Sequence, residues 1–118
     1  MTLPELVRRT AEKKAAEFCE RRIPPHARDE IRLEFGFRGN SVTIFECRAP
    51  WEGLPEHIVE WSRMKIAQLR YDPSTREWTL YWADRNGRWL RYWDLDPDPD
   101  LDRLIREIDD DPMCAFWG

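Results

Sequence analysis

The sequence predicts an α+β fold: an N-terminal helix, a five-stranded antiparallel meander sheet, a C-terminal helix and a docked apolar tail. Apolar residues recur at helical spacing near both ends of the chain, and five short runs between residues 31 and 94 read as strands. Short turn sequences join several of these runs, and short links favour neighbouring antiparallel strands. The 118 residues, 42% of them hydrophobic, fit one domain spanning 1–118 with a single core.

The first helix is predicted over about residues 3–22. Its apolar residues follow one another at intervals of three or four, which places them on one helical face: Leu3, Val7, Ala11, Ala15 and Phe18. Pro24 and Pro25 end the helix, because proline lacks the N–H that the helical hydrogen-bond ladder needs.

The first two strands are predicted as a hairpin across the two-residue turn Gly39-Asn40. Their ranges are about 31–38 and 41–48. The turn sets a register in which Leu33 lies opposite Glu46 and Ile31 lies opposite Arg48. Directly opposed residues share a face of the sheet, so both charged residues fall on the face that carries the apolar side chains of the first strand.

The pair formed by Glu46 and Arg48 is the best local candidate for a polar pocket. A buried charge is costly unless it is paired, so we expect both to be mostly buried and in salt-bridge reach of each other, or of Arg70 or Arg91. Trp51 follows at the exit of the strand. The alternative is a purely structural salt bridge that anchors the next connection.

A long connection, residues 51–63, follows the hairpin. Trp61 stands at i+7 from Leu54, with Ile58 between them at i+4, so a short helix or an ordered loop is expected. Long connections in compact domains are often functional.

Strands 3 to 5 are predicted at about 65–71, 77–83 and 88–94. Asp72-Pro73-Ser74-Thr75 forms the first turn, and Asn86-Gly87 is typical of a type I′ hairpin turn. With that second turn, one face carries six residues: Trp78, Leu80, Trp82, Trp89, Arg91 and Trp93. Thr79, Tyr81, Leu90 and Tyr92 take the other face, whereas the faces of strand 3 stay open.

The second helix is predicted after Asp98, a candidate N-cap, with Pro99 at the first helical position. Its apolar residues recur at i, i+3, i+4 and i+7: Leu101, Leu104, Ile105 and Ile108. Asp111-Pro112 ends it. The C-terminal tail, residues 113–118, is too apolar to remain in water, so we expect it to dock on the sheet.

Composition excludes several classes of function. The net charge of −4 gives no support to a general phosphate-binding role. No apolar run approaches the roughly 20 residues of a membrane span, and Met1 to Arg9 holds no apolar signal segment. Three widely spaced cysteines indicate reduced thiols and a cytoplasmic protein. His26 and His57 lack metal-ligand spacing, so no metal or cofactor is expected.

Seven tryptophans, three of them directly beside an arginine or a tyrosine in the chain, indicate either an unusually aromatic core or a binding surface. The candidate ligand- or partner-binding residues are Glu46, Arg48, Trp51, Trp61, Arg70, Trp82, Trp89, Arg91 and Trp93. The favoured hypothesis is a non-enzymatic module that binds a protein partner, or a second copy of itself, through a Trp/Arg/Tyr-rich sheet surface and the 51–63 connection.

Two other functions stay open. One is a hydrolase-type enzyme with Glu46 as general base and an arginine that stabilises an anion. The other is binding of single-stranded nucleic acid by stacked rings, which the acidic balance disfavours unless a local basic patch exists.

Several segments together resemble a bacterial family known as domain of unknown function 3024. They are Ser41-Val42-Thr43-Ile44-Phe45-Glu46 with Arg48 and Trp51, Ile66-Ala67-Gln68-Leu69-Arg70-Tyr71, Trp78-Thr79-Leu80-Tyr81-Trp82 with Trp89 and Tyr92, and Phe116-Trp117-Gly118. The resemblance covers most of the chain after the first helix. It implies a bacterial origin, and it carries over no activity, substrate or catalytic residue.

Overall fold

A computed structural model describes residues 3–50 and 60–118. The elements in chain order are α1 (Glu5–Arg22), a 3₁₀ turn (Pro25–Ala27), β1 (Ile31–Arg38), β2 (Ser41–Arg48), β3 (Ser62–Asp72), β4 (Glu77–Ala83), β5 (Trp89–Arg91) and α2 (Leu101–Asp110). The five strands form one sheet in the order β1-β2-β3-β4-β5, and each neighbouring pair is antiparallel. This confirms the predicted α+β fold.

The register of the first hairpin is the one that its turn predicts. Leu33 pairs with Glu46 and Ile31 pairs with Arg48. Gly39 has a φ of 58°, a conformation that glycine adopts without steric cost. The turn therefore fixes which side chains of β1 and β2 share a face.

β3 contains an irregularity that its sequence does not reveal. Ile44 pairs with Ala67 and Phe45 pairs with Lys65, so Ile66 is an extra residue in the ladder. A bulge of this kind shifts the alternation of side chains by one residue. Both Ile66 and Ala67 are buried as a result.

The predicted faces of strand 5 are wrong by one residue of register. Tyr81 pairs with Arg91 and Ala83 pairs with Trp89. The Asp84 carboxylate accepts hydrogen bonds from the N–H groups of Asn86 and Arg88 at 2.8 and 2.9 Å, which organises a loop longer than the expected two-residue turn. A one-residue slip moves every side chain of a strand to the opposite face.

The core lies between the two helices and one face of the sheet, here called the core face. Its central sheet residues are 0–1% exposed: Val42, Ile44, Leu69 and Leu80. α1 contributes Ala11, Ala15 and Phe18, and α2 contributes its predicted apolar stripe. Both helices therefore cover the same side of the sheet.

α2 begins later than predicted. Asp100, rather than Asp98, is the N-cap, and its carboxylate accepts a hydrogen bond from the Asp102 N–H. Asp98 instead accepts from the Asp100 N–H and pairs with Arg103 at 2.9 Å. The aspartate-rich approach to the helix is thus a chain of turn and cap interactions.

The C-terminal tail is docked, as its composition predicts. Phe116 is 6% exposed and stacks near Tyr92, with the ring centroids 5.3 Å apart. The Trp117 indole N–H donates to the Ile108 carbonyl at 2.7 Å, and the Arg22 guanidinium lies 4.2 Å from the Trp117 ring centroid. Contacts from both helices therefore hold the chain end.

Candidate functional site

The sheet face opposite the core face, here called the open face, carries charged, polar and aromatic side chains in transverse rows. Strand pairing places together Arg32, Cys47 and Arg63; Glu34, Phe45 and Lys65; Gly36, Thr43, Gln68, Tyr81 and Arg91; and Arg38, Ser41, Arg70 and Thr79. Trp89, beside Ala83, belongs to the same face. Because α1 and α2 pack on the other side, neither helix covers these rows.

Positive charge is concentrated on the open face. Within the five strands it carries six cationic residues, Arg32, Arg38, Arg63, Lys65, Arg70 and Arg91, against three acidic ones, Glu34, Asp72 and Glu77. The whole chain has a net charge of −4. The compensating acids cluster elsewhere, since residues 94–111 hold nine carboxylates and two arginines. The face is therefore a local basic patch on an acidic protein.

Four cations of the open face are stacked on aromatic rings. Their distances to the ring centroids are 4.1 Å for Arg32 over Trp61, 3.7 Å for Arg63 over Phe45, 5.6 Å for Lys65 over Trp89 and 3.8 Å for Arg70 over Tyr81. Such cation–π contacts each contribute about 0.5–1 kcal/mol at exposed sites. They favour placement of these cations over the faces of the rings.

Arg70 is the most firmly oriented of these cations. Its Nε donates to Gln68 Oε1 at 2.7 Å, and Gln68 Nε2 donates to Thr43 Oγ1 at 3.0 Å. These hydrogen bonds connect Thr43 on β2 to Arg70 on β3, and the Arg70 guanidinium stacks on the Tyr81 ring. Of the Arg70 nitrogens only Nε donates a hydrogen bond to a described side chain, so the two terminal amino groups keep their N–H donors for a ligand.

The basic patch has few internal ion pairs. In the part of the chain that the structure describes, no carboxylate lies within 4.0 Å of the charged groups of Arg63, Lys65, Arg70 or Arg91. Arg32 approaches Glu34 at 3.9 Å, the longest of the ion-pair distances. Most of the positive charge on this face is therefore available to an anionic ligand.

Glu46 and Arg48 lie together, but on the core face and at its end. Arg48 Nε donates to Glu46 Oε1 at 2.8 Å. Glu46 is buried, whereas the Arg48 side chain is 65% exposed, so the expectation that both are buried is wrong for Arg48. Arg70 and Arg91 belong to the opposite face and do not join this pair.

The four candidate tryptophans that the structure describes lie on two sides of the sheet. Trp61 and Trp89 flank the open face, while Trp82 packs half-buried against the core and meets Trp93 edge-on at 5.7 Å. Trp93 is 57% exposed. Trp51, and the part of the 51–63 connection before residue 60, lie outside the described residues. Strand pairing thus divides the candidate residues between two sides of the sheet.

Several residues of the open face escape the sequence reasoning. The sequence does not point to Arg63 and Lys65, because the faces of strand 3 cannot be assigned from it. Phe45 lies on β2, but the cation that stacks on it, Arg63, belongs to strand 3. The bulge at Ile66 lets Lys65 and Gln68, three residues apart, share a face. In the sequence, polar residues recur at every second position in Arg63-x-Lys65 and again in Gln68-x-Arg70. The three-residue step from Lys65 to Gln68 is the signal of the bulge between these two segments.

Among residues 3–50 and 60–118, no three His, Cys, Asp or Glu side chains are grouped as a metal ion would require. Neither described helix has the length and apolar character needed to cross a membrane.

The molecule is a small α+β protein with an antiparallel sheet, helices on one side and a basic aromatic surface on the other. The chain belongs to the family described as domain of unknown function DUF3024, whose model matches residues 3–118. No curated protein and no solved structure shows a significant match to it. The family membership agrees with the resemblance of the strand sequences and assigns no activity.

Proposed function

We propose that the protein is a non-enzymatic binding module whose open face holds single-stranded nucleic acid. The observation that carries this proposal is the coincidence of excess positive charge and ring–cation stacks on one face of an otherwise acidic chain. Proteins that bind single strands combine a positively charged track for phosphates with flat side chains on which bases stack.

Single-stranded nucleic acid matches both properties of the face. Its phosphates suit the terminal amino groups of Arg70 and the cations Arg63, Lys65 and Arg91. Its bases stack on aromatic rings and equally on guanidinium planes, and Arg70 on Tyr81 offers such a plane. The acidic segment 94–111 disfavours indiscriminate binding at other surfaces, because it repels phosphates.

A protein partner, the first expectation from the sequence, fits this face less completely. An acidic peptide neutralises arginines, but it stacks on the four ring–cation pairs only where it carries aromatic side chains, whereas every nucleotide carries a base. The hydrolase hypothesis has less support, because Arg48 already neutralises Glu46. Arg70 and Arg91, the other arginines considered for that site, lie on the opposite face of the sheet from Glu46.

The test is a titration of fluorescein-labelled single-stranded RNA and DNA of about 12 nucleotides, followed by fluorescence anisotropy at several salt concentrations. Arg70→Gln should weaken binding about tenfold and lower the salt slope by about 1. Tyr81→Ala should cost about 1–3 kcal/mol of binding free energy by loss of a stacking platform. Arg9→Gln, an exposed change of the same charge on α1, is the matched control and should bind like the wild type.

Two results would refute the proposal. One is equal affinity of Arg70→Gln and Arg9→Gln for the oligonucleotide. The other is displacement of the oligonucleotide by a poly-glutamate peptide at equal charge concentration, because that result assigns the face to an acidic protein partner.

A further inference from the structure

A groove of about 710 Å³ lies between the C-terminal half of α1 and the edge strand β1. Its walls come from Ala16 and Glu20 on the helix and from Phe35 on the strand. Small-molecule sites have volumes of roughly 300–1,000 Å³. The groove therefore has the size of a ligand site, and it adjoins the open face at Arg32 and Arg63.

The floor of the groove is apolar. Cys19, Ile23 and Leu33 line it and are 8%, 9% and 7% exposed. Burial, with smaller contributions from Cys47 and Glu34, raises the pKa of the Cys19 thiol to about 12. The thiol is therefore neutral near pH 7, and the floor carries no charge.

The rim of the groove is cationic on balance, with three arginines against Glu20 and Glu34. Arg28 donates hydrogen bonds to the carbonyls of Ile23 and Glu20 at 3.3 and 3.0 Å, so its guanidinium caps the C-terminal end of α1.

The other two rim arginines, Arg32 and Arg63, come from one transverse row and stack on rings. The edge of a stacked guanidinium presents N–H groups in a geometry that suits a carboxylate, sulfonate or phosphate. Among the described residues Arg63 has no carboxylate within 4.0 Å, whereas Arg32 lies 3.9 Å from Glu34.

We propose that this groove binds a small amphipathic anion, with its apolar body on the floor and its anionic head on Arg32 and Arg63. An apolar concave wall supplies contact area, and a few placed polar groups orient the ligand. The site shares Arg63 with the proposed nucleic-acid surface, but its helix wall and its floor of Cys19, Ile23 and Leu33 lie outside the open face, so a variant of the helix wall tests the groove alone. Arg70 and Tyr81 do not line it.

The experiment uses 1-anilinonaphthalene-8-sulfonate as the probe, titrated into the whole protein by calorimetry. Ala16→Trp fills the groove from an exposed helical position, so the fold should be kept. Glu12→Trp places the same ring one turn earlier on α1, outside the groove lining, and is the matched control. Binding should be lost in Ala16→Trp and kept in Glu12→Trp. Arg63→Gln, at an exposed residue, should weaken binding by about tenfold or more.

The chemical class is tested by competition. Decanoate should displace the probe, and decanol, which has the same chain without the charge, should not. Equal displacement by both would overturn the anionic class, and equal probe binding by the two tryptophan variants would overturn the site. Ala16→Trp should bind the oligonucleotide like the wild type, so failure of one proposal is distinguishable from failure of the other.

Discussion

Removal of the Asp111 carboxylate should release the C-terminal tail and lower the free energy of unfolding by about 2–3 kcal/mol. Its Oδ1 accepts hydrogen bonds from the N–H groups of Ala115 and Phe116 at 2.7 and 3.1 Å, and its Oδ2 accepts from Trp117 at 2.8 Å. Asp111 also ends α2 in the left-handed conformation, with a φ of 44°. One side chain thus turns the chain and holds three backbone donors.

The magnitude follows from what the variant can lose. Hydrogen bonds to a charged group each contribute about 1.5–3 kcal/mol, and bonds that share one acceptor group do not add fully. In Asp111→Ala the tail can undock and regain water, so the loss is limited to its docking energy. Full burial of a Phe116-sized side chain contributes about 1.5–3 kcal/mol, and Trp117 is only partly buried. For a chain of 118 residues, this loss lowers Tm by roughly 8–12 °C.

The assay is urea and thermal unfolding followed by circular dichroism, with a graded set of variants. Asp111→Asn keeps one acceptor oxygen and tolerates the left-handed conformation, so its loss should be intermediate. Asp110→Ala, at the exposed neighbouring residue, should change stability by less than about 0.5 kcal/mol. If Asp111→Ala melts together with Asp110→Ala, the three hydrogen bonds do not hold the tail and the reasoning is refuted.

Two further predictions concern buried polar groups. Glu46→Ala should lower the free energy of unfolding, measured in urea, by about 1–2 kcal/mol. The loss is small because the Arg48 side chain left without its partner is largely exposed and water can solvate it. A loss above about 4 kcal/mol would show instead that Arg48 becomes a buried unpaired charge. In the native protein, a thiol reagent such as 5,5′-dithiobis(2-nitrobenzoate) should react rapidly with the exposed Cys114 alone. The buried Cys19 and Cys47 should react only after denaturation. Burial also raises the pKa of both buried thiols, which lowers the fraction present as reactive thiolate. Rapid reaction of all three thiols would contradict the burial.

The binding surface shows where sequence reasoning reaches its limit. The sequence shows the high content of arginine and aromatic residues. It also shows that a nucleic-acid ligand would require a local basic patch. The assignment of side chains to faces was not, because a shift of one residue inverts a strand. Two such shifts occur here, at the bulge of Ile66 and in the loop organised by Asp84. Together they bring Lys65, Trp89 and Arg91 to one side.

The sequence alone determined the order of helices and strands, the register of the first hairpin and the docking of the tail. Each of these depends on local periodicity, on a two-residue turn, or on apolar content that water disfavours. Only the tertiary structure decided which charged residues meet. It paired Arg70 with Tyr81 and Arg63 with Phe45 on the open face, and it left Glu46 with Arg48 at the end of the core face. The physical reason is that these contacts depend on the register between strands. Bulges and loop hydrogen bonds set that register, and the periodicity of residues within one strand carries no information about it.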